Sequence, residues 1–220
     1  MHHSLTVTVE KVRRENPEVV TLYFRRPFAF TAGQYITVYI PGSAVTAGKA
    51  YSLSSLPHEE LASITVKDVG GEFSSYLCQR AAGDELRISQ PYGYFNPQTT
   101  RPLVGIAAGC ALGPVWSVLA SAEQDTYLYF SHRSPDRTVF DEELANSRIR
   151  VTHFSTRQKV EEVNGWRNGR FEVAAIVQEA SSGAHFLVCG SVDFVRNVWQ
   201  KLVAAGVDTQ RISTETFFES

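Results

Sequence analysis

The rhythm of hydrophobic and polar positions changes partway along the chain. Up to about Asn96, apolar and polar residues alternate over 5–12, 19–24, 35–40 and 64–67, the pattern of half-buried β-strands. Turn signals separate these stretches: Asn16-Pro17, Pro27, Pro41-Gly42, Leu56-Pro57 and Gly70-Gly71. Many short strands at this spacing predict an all-β barrel or sandwich. One segment departs from the pattern. Residues 73–80 carry apolar side chains at 73, 76 and 77, a helical spacing, directly after the glycine pair.

Beyond Pro102 the rhythm becomes strand, then helix. Residues 103–107, 126–130, 150–154 and 185–189 read as strands, and 114–122, 139–145, 173–179 and 192–205 as helices. Such alternation predicts a parallel, doubly wound α/β sheet. The change of rhythm puts a boundary near 97–102, with domains expected over 1–98 and 99–220. The fold class expected is therefore two-domain α+β: an antiparallel β-barrel followed by an α/β parallel sheet.

Composition narrows the function. The 220 residues are 43% hydrophobic and 20% charged, with a net charge of -2, which gives no reason to expect nucleic acid as a partner. No apolar run approaches the roughly 18 residues of a membrane span, and no signal peptide opens the chain. The three cysteines, Cys78, Cys110 and Cys189, lie too far apart for a disulfide framework or a zinc motif. They are also fewer than the usual four ligands of an iron–sulfur cluster. If the protein moves electrons, the carrier is a separate molecule. The compartment expected is the cytoplasm.

Two junctions carry candidate chemistry. Lys49-Ala50-Tyr51-Ser52 puts a cation, a flat ring and a hydroxyl at the end of a strand. A flavin needs a charge for its phosphates, a stacking face and a polar contact near N5. An ordinary strand with alternating exposure has the same residues. Downstream, Gly70-Gly71-Glu72-Phe73-Ser74 opens the helical segment. A glycine pair lets a pyrophosphate approach helix N–H groups, and Ser74 also suits a helix cap. The second junction, Gly105-Ile106-Ala107-Ala108-Gly109-Cys110-Ala111-Leu112-Gly113-Pro114, follows a strand and precedes a helix. It reads as a phosphate-binding turn or as a tight turn of any α/β protein.

These residues, in this order, resemble the ferredoxin–NADP reductase family over nearly the whole chain. The resemblance implies a Greek-key flavin barrel with one helix, then a nucleotide domain. The family pattern is Arg-x-Tyr-Ser followed by Gly-x-x-Ser, and Lys49 stands here in place of the arginine. By this resemblance Tyr51 stacks on the isoalloxazine, Ser52 sits near N5, and Gly71 and Ser74 hold the pyrophosphate. Leu53, Val66, Lys67, Gly70 and Phe73 complete the flavin-contacting set. The turn with Gly109, Cys110, Ala111 and Pro114 resembles a Gly-Thr-Ala-Ile-Gly-Pro turn in bacterial members, with cysteine replacing threonine. Cys189 and Gly190 match a Cys-Gly-Ser motif beside the nicotinamide. Arg133, Thr156, Arg157 and Arg170 follow strand ends, and the Thr-Arg pair resembles members that prefer NADP, although exposed surface arginines read alike. Glu215 is expected to relay a proton near Ser52, and Phe217 or Phe218 to cover a flavin face.

The cofactors expected are FAD and NADP, with NAD possible. Ser52, Cys189 and Glu215 are the expected catalytic residues. The partner expected is a separate electron carrier such as ferredoxin, flavodoxin or an oxygenase component, and the oligomeric state a monomer. Lys11, Arg13, Arg14, Arg25 and Arg26 offer a basic docking face for an acidic carrier, or ordinary solvated surface. Three other readings stay open: a reductase that uses flavin as a diffusing substrate, a non-catalytic nucleotide-binding subunit, and an unrelated two-domain binding protein.

Overall fold

In the computed structural model, which describes residues 4–217, the alternating stretches of the first half become antiparallel strands. They are β1 (Leu5–Asn16), β2 (Val19–Arg25), β3 (Tyr35–Tyr39), β4 (Lys49–Ser52), β5 (Leu61–Lys67) and β6 (Glu85–Ile88). Their order is β4-β3-β6-β1-β2-β5, and a bridge between Leu53 and Ile64 joins the two outer strands, curling the sheet into a barrel. Closure removes the exposed edges on which a sheet aggregates. Phe24, Leu22, Ile36, Ile64, Leu86 and Ile88 fill the interior. The helical segment is α1 (Glu72–Cys78), which buries Phe73 and Leu77. The periodicity gives no strand at 85–88. Only Leu86 and Ile88 point inward there, too short a pattern to register.

The second half is an all-parallel sheet of β7 (Leu103–Ala108), β8 (Thr126–His132), β9 (Arg150–Ser155), β10 (Trp166–Asn168), β11 (His185–Ser191) and β12 (Ile212–Phe217). The order is β10-β9-β8-β7-β11-β12. The central strands β7, β8 and β11 are buried on both faces, which explains their nearly continuous apolar runs. On one face α2 (Leu112–Ser121) and α3 (Asp141–Ala145) bring Val115, Leu119 and Leu144 against Leu103 and Leu128. On the other, α4 (Val173–Glu179) and α5 (Val192–Ala204) pack Ile176, Val195 and Leu202 against Val104 and Ile106.

Two expectations shift. The helix expected at 139–145 starts two residues later, because Phe140 adopts a left-handed backbone (φ 60°) before α3. Of the long glycine-rich junction, only Gly109–Ala111 forms the turn, a short 3-10 helix. Gly105 lies inside β7, and Gly113 and Pro114 lie inside α2.

The two sheets share a core. Val19, Ala32 and Phe95 from the barrel half belong to the same buried cluster as Val115, Val118 and Trp116 of α2. Gly113 permits the close approach, since a Cβ there would meet the Ser54 Cβ at 3.2 Å. Polar contacts pin the same interface. The Ser117 hydroxyl donates to the Ser55 carbonyl (2.8 Å), and the Asn16 amide donates to the Thr138 carbonyl (3.1 Å). Arg13 pairs with Glu143 across the halves.

Candidate functional site

The cleft between barrel and sheet holds a cavity of about 760 Å³, the size of a cofactor pocket. From the barrel, β4 brings Lys49, Tyr51 and Ser52 to its wall, β5 brings Val66 and Lys67, and α1 brings Phe73 and Ser74. From the sheet come the turn Gly109, Cys110 and Ala111, Arg133 and Thr156 just past β8 and β9, Gly190 near the end of β11, and Glu215 and Phe217 of β12. Most residues singled out along the sequence thus converge, and they converge at the carboxyl ends of the parallel strands, where open α/β sheets bind ligands.

On the barrel wall the Lys49 ammonium lies 5.7 Å from the Phe73 ring centroid, a cation–π contact. Tyr51 is half-buried, and burial pushes its phenol well above the usual range, so the ring is neutral and apolar in character. The Ser74 hydroxyl accepts from the amides of Val69 (3.3 Å) and Gly71 (3.2 Å) and so shapes the start of α1. At this turn lies a residue that the sequence reading missed. The Asp68 carboxylate accepts from the Gly70 amide (2.9 Å) and the Ser75 hydroxyl (2.9 Å), and the amide bond holds it below the usual carboxylate range.

Where the two halves meet, the Ser52 hydroxyl donates to Glu215. Burial raises the Glu215 carboxyl above its usual value, and the bond from Ser52 opposes that in part. Glu215 is paired in register with Cys189 of the neighbouring strand. The Cys189 side chain is fully buried, and burial, then Glu215 and Cys110, push its thiol up. A neutral, enclosed thiol is a packing group and a poor nucleophile.

On the nucleotide side, Gly109 has φ 56° and open space around its missing Cβ, so backbone is presented directly to the cavity. The amides of Thr156 and Arg157 donate to the carbonyls of His132 and Arg133, both at 2.9 Å, which ties the ends of β8 and β9 together. His132 also lines the cavity and was not singled out from the sequence. Its ring stacks on His153 (5.1 Å, 1° between planes) and on Trp166 (5.0 Å). Burial, helped by His153, pushes the His132 imidazole down to about 3. Parallel register, which pairs Trp166 with His153, builds this ladder of rings; no local motif announces it.

Several expected residues stand off the cavity wall. Leu53 is in the barrel core, Gly70 and Gly71 do not line the cavity and the Gly70 amide is engaged by Asp68, and Pro114 is buried inside α2. Arg157 and Arg170 are exposed and do not line the cavity, and Cys189 lies behind Gly190. Phe218 falls outside the described residues. The basic face is partly neutralised, since Arg13 pairs with Glu15 and Glu143, and Arg25 with Glu60. Besides His132, the cavity is lined by Asn16, Glu18, Thr65 and Arg137, none of which the sequence singles out. Only the fold brings them there. Among the described residues no helix is long and apolar enough to cross a membrane.

Comparison with known proteins adds three findings. The oxidoreductase NAD-binding domain family matches residues 106–200. The ferredoxin reductase component of 3-ketosteroid-9-alpha-monooxygenase from Rhodococcus rhodochrous is 29% identical over 97% of this chain. The chain spans 65% of that relative and 58% of the flavohemoprotein of Bacillus subtilis. Among solved structures, the FAD/NAD-binding domain of nitric oxide dioxygenase from Vibrio cholerae superposes with a TM-score of 0.84 at 23% identity, covering 99% of both chains. A ferredoxin NADP+ reductase from Neisseria gonorrhoeae, solved with bound FAD and NADP, superposes with 0.83 at 20% identity, covering 98% of this chain and 99% of its own.

Proposed function

We propose that the chain belongs to the ferredoxin–NADP reductase family, in keeping with its NAD-binding domain match and its relatives, and that it is a flavoenzyme that takes hydride from NAD(P)H and passes electrons to a separate carrier. The observation that carries this reading is the single cavity in which Tyr51 and Ser52 of the barrel meet Gly109, Gly190 and Glu215 of the sheet. We assign residues 1–98 to flavin binding and 99–220 to nucleotide binding.

FAD suits the residues present. The cavity has a neutral aromatic ring, two lysines and a helix-capping serine on one wall, and a bare glycine turn on the other. When bound, the flavin supplies the ring that accepts hydride and then gives up electrons. The protein's part is to bind, orient and exclude water. Tyr51 offers the stacking face. Lys49 and Ser74 offer charge and a hydroxyl to the phosphates. Gly109 and Gly190 let the nucleotide approach backbone closely. Ser52 and Glu215 hold a proton at the junction of the two halves, since burial favours the protonated carboxyl and Ser52 Oγ is in contact with it.

NADPH is the preferred nucleotide in this reading, because Arg133 and Arg157 flank Thr156 beyond the ends of β8 and β9. A guanidinium on a 2′-phosphate makes charge-assisted, often bidentate bonds. Arg157→Ala should lower kcat/KM for NADPH by roughly tenfold and leave NADH nearly unchanged, as for a bond of about 1.5 kcal/mol to a charged group. An equal loss for both nucleotides removes the 2′-phosphate assignment. The carrier fits the same family logic: a ferredoxin, flavodoxin or oxygenase component. A second reading, flavin as a diffusing substrate, is favoured by Asp68, which engages the Gly70 amide at the start of α1. Dialysis separates the two. A yellow protein that then reduces a dye with NADPH supports the prosthetic-group reading, and a colourless one that requires added flavin supports the other.

A further inference from the structure

At one stretch of the cavity wall the lining residues are charged and come from both halves. Glu18 belongs to the turn between β1 and β2, Lys67 ends β5, and Arg137 lies in the loop between β8 and α3. Glu18 is held between the two cations, with Lys67 Nζ at 3.4 Å and Arg137 Nη1 at 2.6 Å. Asp136 lies 3.4 Å from Arg137 Nε. Lys67 and Glu18 sit on the barrel, so the Glu18–Arg137 contact is the one that crosses the cleft.

Three features make this contact a movable part of the wall. First, it has a fixed neighbour: the buried bond from Asn16 to the Thr138 carbonyl holds the adjoining backbones together, so Glu18 and Arg137 can part without the domains parting. Second, the pair is about one-third exposed on each side, at 34% and 39%, and an exposed ion pair is weak and screened by salt. Third, the two cations reach Glu18 from opposite halves of the protein, and together with hydrogen bonding they hold its carboxyl below the usual range, so the contact is one between charges. The same barrel wall carries Tyr51 and Ser74.

We propose that the Lys67–Glu18–Arg137 bridge is a latch across the cleft that closes over the bound flavin and slows its release. This rests on the flavin reading above. It locates the choice between a resident and a diffusing flavin in three side chains outside the stacking and hydride-transfer residues. With the latch shut, flavin leaves only when Arg137 and Glu18 separate.

The test is the rate of FAD release from the loaded full chain, followed by the return of flavin fluorescence on dilution. Glu18→Gln and Arg137→Gln act from opposite halves, so a folding fault in one does not mimic the other. Each should speed release roughly threefold to fivefold at low salt, the scale of an exposed ion-pair network. Arg137→Lys, which keeps the charge, should retain slow release. Raising salt from about 0.05 to about 0.5 M should speed the wild type more than the Gln variants, whose remaining salt response comes from the FAD phosphates alone. Wild-type release rates in both Gln variants, or the same salt response in them, would overturn the latch alone. A wild type that binds no FAD in a direct titration would overturn the flavin reading and the latch with it.

Discussion

Gly105 lies inside β7 where α2 packs closest, and the space left for a side chain there can be measured. A Cβ at Gly105 would lie 2.5 Å from Val115 Cγ1, 2.8 Å from Leu119 Cδ1 and 3.3 Å from Leu128 Cδ1. Carbon atoms prefer separations of about 3.5–4.0 Å, so α2 must move off β7 by roughly 1 Å. Val115, Leu119 and Leu128 are fully buried, and the branched Val115 cannot swing aside. Overpacking of this kind costs about 1–3 kcal/mol. Alanine returns up to about 1 kcal/mol by restricting the unfolded chain. Gly105→Ala should therefore cost up to about 3 kcal/mol net and lower the thermal midpoint by up to roughly 12 °C, at about 2–4 °C per kcal/mol for a chain of this size. Adding Val115→Ala removes the closest contact, so the double variant should be more stable than the sum of the two single effects predicts, by about 0.5–3 kcal/mol. Gly109→Ala is the contrast. Nothing lies within 4 Å of its Cβ, and only φ 56° resists the change. That costs roughly 1–2 kcal/mol through backbone strain, with no rescue from Val115→Ala. Differential scanning calorimetry on the five variants decides the point. A Gly105→Ala midpoint at or above wild type, or strict additivity with Val115→Ala, would refute the packing argument.

Other outcomes follow from the site. Tyr51→Ala should weaken FAD binding by about 1–3 kcal/mol in a fluorescence titration, the scale of aromatic stacking; an unchanged dissociation constant removes Tyr51 from the flavin face. The raised carboxyl of Glu215 contributes stability that is present below its unfolded value and lost as pH climbs through the folded one. Glu215→Gln removes that loss, so its thermal midpoint should gain on wild type as pH rises above the unfolded carboxyl value of about 4.3, and a constant difference would contradict the assignment. His132 is depressed instead, so its contribution is full above about 6.5 and is lost as pH falls towards the folded value of about 3. His132→Phe should blunt the wild type's loss of midpoint on acidification, and an unaltered acid slope would show that the buried ring is not what titrates.

The two-part architecture was legible because each half keeps one period. Alternation marks β1, β2, β3 and β5, and strand–helix alternation marks β7 through α5. Elements such as β6 and β10 were not, because four and three residues hold too few inward positions to define a period. Of the site, the residues at strand ends were legible: Tyr51, Ser52, Gly109, Gly190 and Glu215 carry recognisable local chemistry. The His132–His153–Trp166 ladder was not, since register alone assembles it. Nor was the Asp68 turn, where an aspartate before a glycine pair reads as any loop. Glu18 and Arg137 were invisible for a related reason: their meeting depends on how the two sheets dock, and no local pattern encodes that.

The most direct test of the central claim is a single turnover without oxygen. The FAD-loaded protein is mixed with NADPH in a stopped-flow instrument, and the absorbance of oxidised flavin is followed. The account predicts rapid loss of that absorbance at a rate that saturates with NADPH, with Glu215→Gln and Ser52→Ala slower at saturation. Persistence of the oxidised spectrum with both NADPH and NADH, in protein that demonstrably holds FAD, would contradict it.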